Sequence, residues 1–492
     1  MKKIGAFGFV IAMALMIPTA YGNQRQNLKD SQSPASTGSD AITNVQKLSL
    51  AQCIDIALKN NRKHAISELQ IKIAQAQHKQ ALSSFWPQVT AQSSLIRIDK
   101  DPVFLYPKET TTYEVSGFPS PSFPPMEFTV TIPANYVKQM DKTNLSSSLG
   151  IVYPIFTGGM RRALTRQTKG GIEIARQNLR KTDLELILDV KKLYYGAVLA
   201  GKIHKIASDA LERLEVLLEL TENMYKKGSG RVKKTDYLKN KMMVESVRAM
   251  VANMKGNEQI VKAALANTLG FDWDTPIELA AKEIPYKPYG FDLKKLVTDS
   301  YQFNPDWAKL AAALNVYKAK IKEAKSGYFP KFALTGNLVH VENKYHAGIV
   351  SPRNRTLWVV GIGMEFPLFN GFRTRNQVRE AKARLEKLEQ GKILLRKGIA
   401  LQVKYYCLQL AQLQEQETAL KSAMSASIEN RKLNERAYQA DMVKTEDVIH
   451  SQIFESISKA RYEKILYDAV VAQANLDYIV GTQVNKLFGK EK

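Results

Sequence analysis

The sequence predicts a mainly α-helical chain with a small membrane β-barrel contribution, built from two copies of one strand–strand/long-helix unit. Three observations carry this: an internal repeat, a heptad pattern far longer than a globular domain holds, and paired strands with unlike faces. A shift of 243 positions lays Asn61 on Asn304, Phe85-Trp86-Pro87 on Tyr328-Phe329-Pro330 and Leu95 on Leu338. Further along the shift is 213, and Tyr153-Pro154-Ile155-Phe156-Thr157-Gly158 meets Phe366-Pro367-Leu368-Phe369-Asn370-Gly371. The offset falls by 30 between the paired prolines, so the first copy carries an insertion there. Self-similarity of this kind fixes the architecture before any single element is assigned.

Residues 1–22 read as a secretory signal. Lys2 and Lys3 precede an apolar run from Ile4 to Ile17 that is too short to span a bilayer, and Ala20-Tyr21-Gly22 offers a cleavage site. No cysteine follows the run, so the lipid-attachment site of an anchored mature N-terminus is missing. Residues 23–45 are polar and predict a disordered leader. The first repeat then covers 46–270, an inter-repeat linker 271–290, the second repeat 291–481 and a basic tail 482–492.

Each repeat predicts a helix, two strands, a very long helix and a helix of about half that length. The opening helices run from about Leu50 to Ser84 and from about Leu293 to Gly327, and Pro87 and Pro330 stop them. The strands alternate. Trp358, Val360, Ile362, Met364 and Phe366 point one way, and Leu357, Val359, Gly361, Gly363 and Glu365 the other. Leu145, Leu149, Ile151 and Tyr153 oppose Ser146, Ser148, Gly150 and Val152 in the first repeat. A bulky apolar face and a smaller, more polar one suit lipid outside and a lumen inside. Phe85, Trp86, Tyr328 and Phe329 at the helix-to-strand junctions fit either an interfacial aromatic girdle or ordinary junction packing. The insertion, around Asp101 to Asp141, contains the proline-dense text Phe118-Pro119-Ser120-Pro121-Ser122-Phe123-Pro124-Pro125 and predicts an extended, exposed loop.

The long helices have the clearest periodicity. Val190, Leu193, Ala197, Ala200, His204, Ala207, Leu211, Leu214, Leu218, Thr221 and Tyr225 follow alternating steps of three and four, the coiled-coil repeat. Ile399, Val403, Tyr406, Leu410, Leu413, Leu420 and Met424 keep the same frame in the second copy. From Gly158 to about Lys226 such a helix is about 100 Å long at about 1.5 Å per residue. No globular domain contains that length, so the helix must project. His204 and Glu417 interrupt the apolar seams at equivalent positions, as inter-helix or lumen-facing polar contacts or as residues that fix register. Shorter helices follow, at about Thr235–Leu269 and Thr445–Val480.

Composition narrows the function. The formal charge is +24, but Lys and Arg are spread along helix faces rather than clustered, which argues for solvated surface and no nucleic acid. Cys53 and Cys407 are the only cysteines, so a disulfide framework is excluded while one bridge or two free thiols stay open. The six histidines are dispersed, without the spacing of a zinc site, and His340 and His346 merely flank a loop. Neither an enzyme nor a cofactor is expected. The turns that end the long helices are the distinctive feature. The first reads Tyr225-Lys226-Lys227-Gly228-Ser229-Gly230-Arg231-Val232-Lys233-Lys234-Thr235-Asp236, the second Tyr438-Gln439-Ala440-Asp441-Met442-Val443-Lys444-Thr445-Glu446-Asp447. An Asp in the first turn of the next helix suits the unpaired N–H groups there. Gly228-Ser229-Gly230 is not a phosphate loop, because no Gly-Lys-Ser/Thr follows.

Taken together, Leu48-Ser49-Leu50 with Ala57-Leu58-Lys59-Asn60-Asn61, Trp86-Pro87, the two Tyr/Phe-Pro-Ile/Leu-Phe-Thr/Asn-Gly segments and the paired tyrosine turns resemble the TolC-like outer membrane efflux protein family over nearly the whole mature length. The resemblance implies a homotrimer with a 12-stranded β-barrel in outer membrane lipid and a long α-helical barrel crossing the periplasm. Four strands per chain cannot close a barrel and open edges do not occur in lipid, so copies must share one; twelve strands leave a passage where eight leave little. It also implies a passive exit duct gated at its periplasmic tip, which docks a periplasmic adaptor protein and works with an inner-membrane transporter. Position by position, the tip-gate residues become Thr235, Asp236, Tyr438, Lys444, Asp447 and His450. The adaptor-contact turns become Gly228, Ser229, Gly230, Asp441, Met442 and Val443. The family's basic latch residue falls at Val443, with Lys444 beside it, its second acid at His450, and Asp441 stands where a turn glycine is usual. His450 makes the entrance charge pH-dependent. A structural or adhesive trimer that merely anchors a coiled-coil stalk is the alternative.

Overall fold

An asparagine divides the opening helix of each repeat, which the sequence predicts to be continuous. In the computed structural model the first repeat begins with α1 (Leu50–Asn60) and α2 (Arg62–Ser83). The structure describes residues 47–115, 126–228, 232–345 and 349–481; the signal, leader and tail regions, the proline-dense text, Ser229, Gly230 and His346 lie outside them. After α2 come β1 (Gln88–Arg97), β2 (Val103–Tyr106), β3 (Glu109–Val115), β4 (Met126–Ile132), β5 (Asn135–Lys138) and β6 (Thr143–Thr157). The first repeat ends with α3 (Met160–Lys226) and α4 (Lys234–Leu269). The second has α5 (Leu293–Phe303), α6 (Pro305–Ser326), β7 (Lys331–Glu342), β8 (Thr356–Glu365), α7 (Arg373–Gln439) and α8 (Thr445–Val480). Helix lengths agree pair by pair, 67 residues for α3 and α7 and 36 for α4 and α8, so one packing solution is used twice. None of the described helices is long and apolar enough to cross a membrane.

The chain divides into two compact units. One holds the described parts of Met1–Asn61, Leu186–Pro288 and Gln412–Val471, the other Arg62–Glu185, Tyr289–Ala411 and Ala472–Lys492. In the first unit the heptad seam is buried: Val190 and Leu214 are fully enclosed, and Ala197 and Thr221 nearly so or wholly. The polar interruptions become inter-helix contacts. His204 Nδ1 lies 2.9 Å from Glu258 Oε2, and the Tyr462 hydroxyl donates to Glu417 Oε1 at 3.0 Å. Burial together with the Glu417 carboxylate pushes the Tyr462 hydroxyl up to about 12. Buried Tyr194 pins the inter-repeat segment, donating to the Leu48 carbonyl and accepting from the Ala281 N–H, both at 3.1 Å. Cys53 and Cys407 are each buried and free, and burial lifts the Cys53 thiol to about 11.

The second unit contains a four-stranded antiparallel sheet in the order β1-β6-β7-β8. Its register sets one face across all strands. The row Ala91, Leu149, Leu338, Trp358 and the row Val89, Ile151, Gly336, Val360 are joined by Leu334 beside Ile362 and Phe332 beside Met364. The opposite face carries Gln92 beside Ser148, Thr90 beside Gly150 and Asn337, and Thr335 beside Gly361. The apolar face is open: Trp358 and Ile362 are each 72% exposed. At the helix-to-strand junctions Trp86, Tyr328, Phe329 and Phe369 are exposed as well. Arg161 ties this junction together, donating to the carbonyls of Ser84 and Ile155 and lying 4.8 Å from the Phe85 ring centre.

The insertion corrects the expected loop. Its described flanks form two antiparallel ribbons, β2 with β5 and β3 with β4. Strand-forming Thr, Tyr, Phe and Val alternate there, and Thr110–Thr131 and Thr112–Thr129 hydroxyl pairs bridge the strands.

The helix breaks at Asn61 and Asn304 are two copies of one joint. Each asparagine is extended, at ψ 130° for Asn61 and 125° for Asn304, so the α-helical ladder cannot continue. The Asn61 amide donates to the Thr268 carbonyl and the Asn304 amide to the Ile479 carbonyl, each at 2.8 Å. Asn304 also caps α6, accepting from the N–H groups of Asp306 and Trp307, with Pro305 as its first helical residue. Gly270 and Gly481 close the joints in left-handed conformations, at φ 85° and 77°. A Cβ on Gly270 would stand 2.8 Å from the Asn60 carbonyl oxygen, and one on Gly481 2.5 Å from that of Phe303. Gly371 has φ 63° but open space where its Cβ would go. Gly481→Ala should therefore lower the thermal midpoint more than Gly371→Ala, whose cost is the left-handed strain alone, about 1–2 kcal/mol. Equal shifts in helical circular dichroism melts would show that close contact at the joint does not matter.

Candidate functional site

The turns between the paired helices of the first unit lie on a shared apolar plug. Leu214 and Leu217 of α3, Val244 of α4 and Val448 and Ile449 of α8 form a buried cluster, with Tyr438 and Val443 packed on it. Apolar positions from four helices converge here because the heptad seams continue to the last turn. The turns thus sit on a fixed base rather than on frayed ends.

The turn between α7 and α8 is a Schellman motif. Met442 N–H donates to the Ala437 carbonyl at 2.8 Å and Asp441 N–H to the Tyr438 carbonyl at 3.1 Å, with Asp441 left-handed at φ 60°. Gly228 takes the equivalent place after α3, at φ 65°, and its N–H donates to the Tyr225 carbonyl. Position 441 thus has the geometry of a C-cap glycine, and aspartate is one of the few side chains that tolerates it. Asp236 and Asp447 play one local role. Each accepts from the N–H group three residues before it, Lys233 at 3.0 Å and Lys444 at 3.1 Å, which ties off the first turn of α4 and α8.

Tyr438 is held by this chain's own residues. Its hydroxyl accepts from Thr445 Oγ1 at 3.1 Å and lies 3.9 Å from Met224 Sδ, while Thr445 is 7% exposed. Tyr225, its counterpart, stacks on Tyr237 with ring centres 6.0 Å apart and planes 4° apart. A cleft of about 440 Å³ opens over this turn. It brings together Asp236, Tyr438, Asp441, Met442, Val443, Lys444 and Asp447; Thr235, Gly228 and His450 are not among its lining residues. Four carboxylates, Asp236, Asp441, Glu446 and Asp447, face one lysine in this lining, so the cleft favours cationic groups.

Several contributors leave no sequence signal beyond their type. Lys239 bridges α4 to α8 through Glu446 at 2.9 Å. On α8 Glu455, 1% exposed, is held between Arg431 of α7 and Lys459, and Arg431 also reaches Glu435. Burial by itself raises the Glu455 carboxyl, but its two cationic partners outweigh that and hold it lowered. Its position, i+4 from one partner and on a different helix from the other, is a contact that only packing creates.

Two outcomes follow for the turn and its support. Asp441→Gly relieves left-handed strain and should stabilise the protein by about 1 kcal/mol; a lowered melting midpoint would contradict the assigned turn. Glu455→Gln leaves half-buried Arg431 and Lys459 without the carboxylate that joins them, while Arg431 keeps Glu435, and should cost about 1.5–3 kcal/mol. Because the folded carboxyl is lowered, its stabilisation is present above the unfolded value near 4.3 and lost as pH falls through the folded one. Melts from pH 7 to pH 3 should be flatter on the acid side for the variant than for the parent.

Comparison with known proteins places these features in context. The family model described as outer membrane efflux protein matches residues 120–271 and 296–482. The alkaline protease secretion protein AprF of Pseudomonas aeruginosa is 22% identical over 382 residues, 72% of this chain and 76% of AprF. Protein CyaE of Bordetella pertussis is 24% identical over 254 residues, 49% of this chain and 50% of CyaE. The solved outer-membrane channel OprN shares the fold with a TM-score of 0.69 at 16% identity, covering 88% of this chain and 89% of OprN.

Proposed function

This chain belongs to the outer membrane efflux protein family, and from that premise we propose that it is the outer-membrane exit duct of a tripartite efflux or type I secretion system, a passive conduit gated at its helical turns. Membership makes it a channel protein of the outer membrane that extends into the periplasm. The observation that carries the duct is the four-stranded sheet whose end strands, β1 and β8, have no outer neighbour among the described residues. Its apolar face meets lipid and its Ser, Thr, Asn and Gly face lines a passage. Three copies supply twelve strands, each β1 pairing with the β8 of a neighbour, and the long helices continue the tube. A periplasmic adaptor protein docks on the turns, and an inner-membrane transporter supplies the energy. The name of AprF, an alkaline protease secretion protein, supports a secretion role.

Gating rests on the turns. The cleft at Asp236, Tyr438 and Lys444 is the place where a neighbouring copy's turn is latched, with Thr235 beside Asp236 and with Asp447 and His450 on the next helix. Asp236 keeps a second carboxylate oxygen beyond the one that serves Lys233, and Tyr438 lines the cleft. Asp236→Ala with Tyr438→Ala should raise the single-channel conductance of the purified trimer in planar bilayers several-fold. Unchanged conductance would remove the latch while leaving the duct; absence of any conductance in parent and variant alike would favour an anchored stalk instead.

A further inference from the structure

A second concave site lies in the other unit, where α3 and α6 cross. Both helices are small at the crossing. A Cβ on Gly170 would stand 2.4 Å from Val316 Cγ2, and Ala312 and Ala319 are 8% and 4% exposed. This close approach leaves a groove of about 760 Å³ beside the contact. Its rims are cationic on both sides: Arg166, Lys169 and Arg176 from α3, Lys318 and Lys322 from α6. Those spacings, i, i+3 and i+10 on one helix and i, i+4 on the other, keep the charged side chains over the same trough.

The charge in the groove is not neutralised from within. Glu173 is the one carboxylate of the lining, and it faces Arg176 at 3.8 Å on its own helix. Arg166, Lys169, Lys318 and Lys322 have no carboxylate partner among the described residues. His78 of α2, the remaining titratable group of the lining, engages Thr168 at 2.9 Å. Like charges on facing helices oppose the packing that Gly170 and the alanines favour. Elsewhere on the same pair of helices opposite charges meet, Lys181 with Asp306 at 2.9 Å; at the groove's end the Glu323 carboxylate accepts from neutral Gln167 at 2.7 Å. The groove is the interval where this complementarity fails, and it fails toward positive charge alone.

We propose that the groove binds a ligand carrying two or more phosphate groups. From Arg166 to Arg176 is ten residues, about 15 Å along the helix, and Lys318 to Lys322 about 6 Å. A single phosphate satisfies one such lysine pair but not the longer span of the α3 rim, whereas a diphosphorylated or polyphosphate ligand reaches the cations of both rims. Lysine and arginine on a concave, small-residue floor suit such groups, with Arg able to grip two oxygens at once. The source is the headgroup of a two-phosphate lipid or a soluble polyphosphate. Lys322 stands four residues, about 6 Å, before the end of α6, and β7 begins at Lys331, which puts either source within reach.

The test uses the detergent-purified full-length trimer and tripolyphosphate as probe, by isothermal titration calorimetry at low salt. Saturable binding should weaken at least tenfold in a Lys169→Gln/Lys318→Gln/Lys322→Gln variant. It should be retained when the three lysines become arginine, and when Lys387, Lys397 and Lys404 on α7 become glutamine instead. A variant that runs as a trimer on native gels yet binds as the parent does, or a α7 control that weakens equally, overturns the site, as does the absence of saturable binding. Cardiolipin added in nanodiscs identifies the source. Competition with the probe assigns the groove to a lipid headgroup, and continued probe binding assigns it to a soluble ligand.

Discussion

Backbone hydrogen bonding in lipid is the constraint on which this protein depends. A strand edge facing hydrocarbon leaves N–H and C=O groups without partners, at several kcal/mol each. The four strands β1, β6, β7 and β8 satisfy one another internally but leave two outer edges, and no further strand of the described chain meets them. The insertion could have supplied one; its strands instead pair among themselves. Self-association is therefore written into the fold at the level of the peptide group, before any side chain is considered.

The side chains follow from the same requirement. With the ladder fixed, alternation decides which residues meet lipid; the register carries two apolar rows across all four strands, bounded by the polar row Ser93, Ser147, His340 and Thr356, and it shifts at the Pro154/Phe156 bulge. The bulge falls at a proline, which has no N–H to give to the ladder. Exposure of Trp358, Ile362 and Met364 in a single chain is what such a face must look like before lipid covers it.

The helical part answers a different need, for length without a globular core. Each 67-residue helix is stabilised along a narrow seam, and each broken partner is fastened by an asparagine amide and a glycine approach that recur at equivalent positions. Using one joint twice means that both repeats exclude a Cβ at the same place, Gly270 and Gly481. At the turns the balance shifts from packing to polar contacts: capping aspartates, a tyrosine held by its own chain's threonine, and one lysine–glutamate bridge. Such contacts are individually weak, which suits a region that has to rearrange.

The sequence by itself determined what depends on periodicity and on local chemistry. The repeat, the heptad seams, the alternating strands and the aspartates at the starts of α4 and α8 were all legible, because each is a relation between residues close in the chain or at a fixed offset. The tertiary structure decided what depends on chain segments meeting at a distance. The break at Asn61 had one sequence signal, the Asn304-Pro305 pair at the equivalent position, but its cause, the Thr268 carbonyl and Gly270, lies far along the chain. The partner of Tyr438, the burial of Glu455 between two cations and the bare basic groove between α3 and α6 were equally hidden. Spacing along one helix shows which residues share a face; it carries no information about what another helix brings to that face.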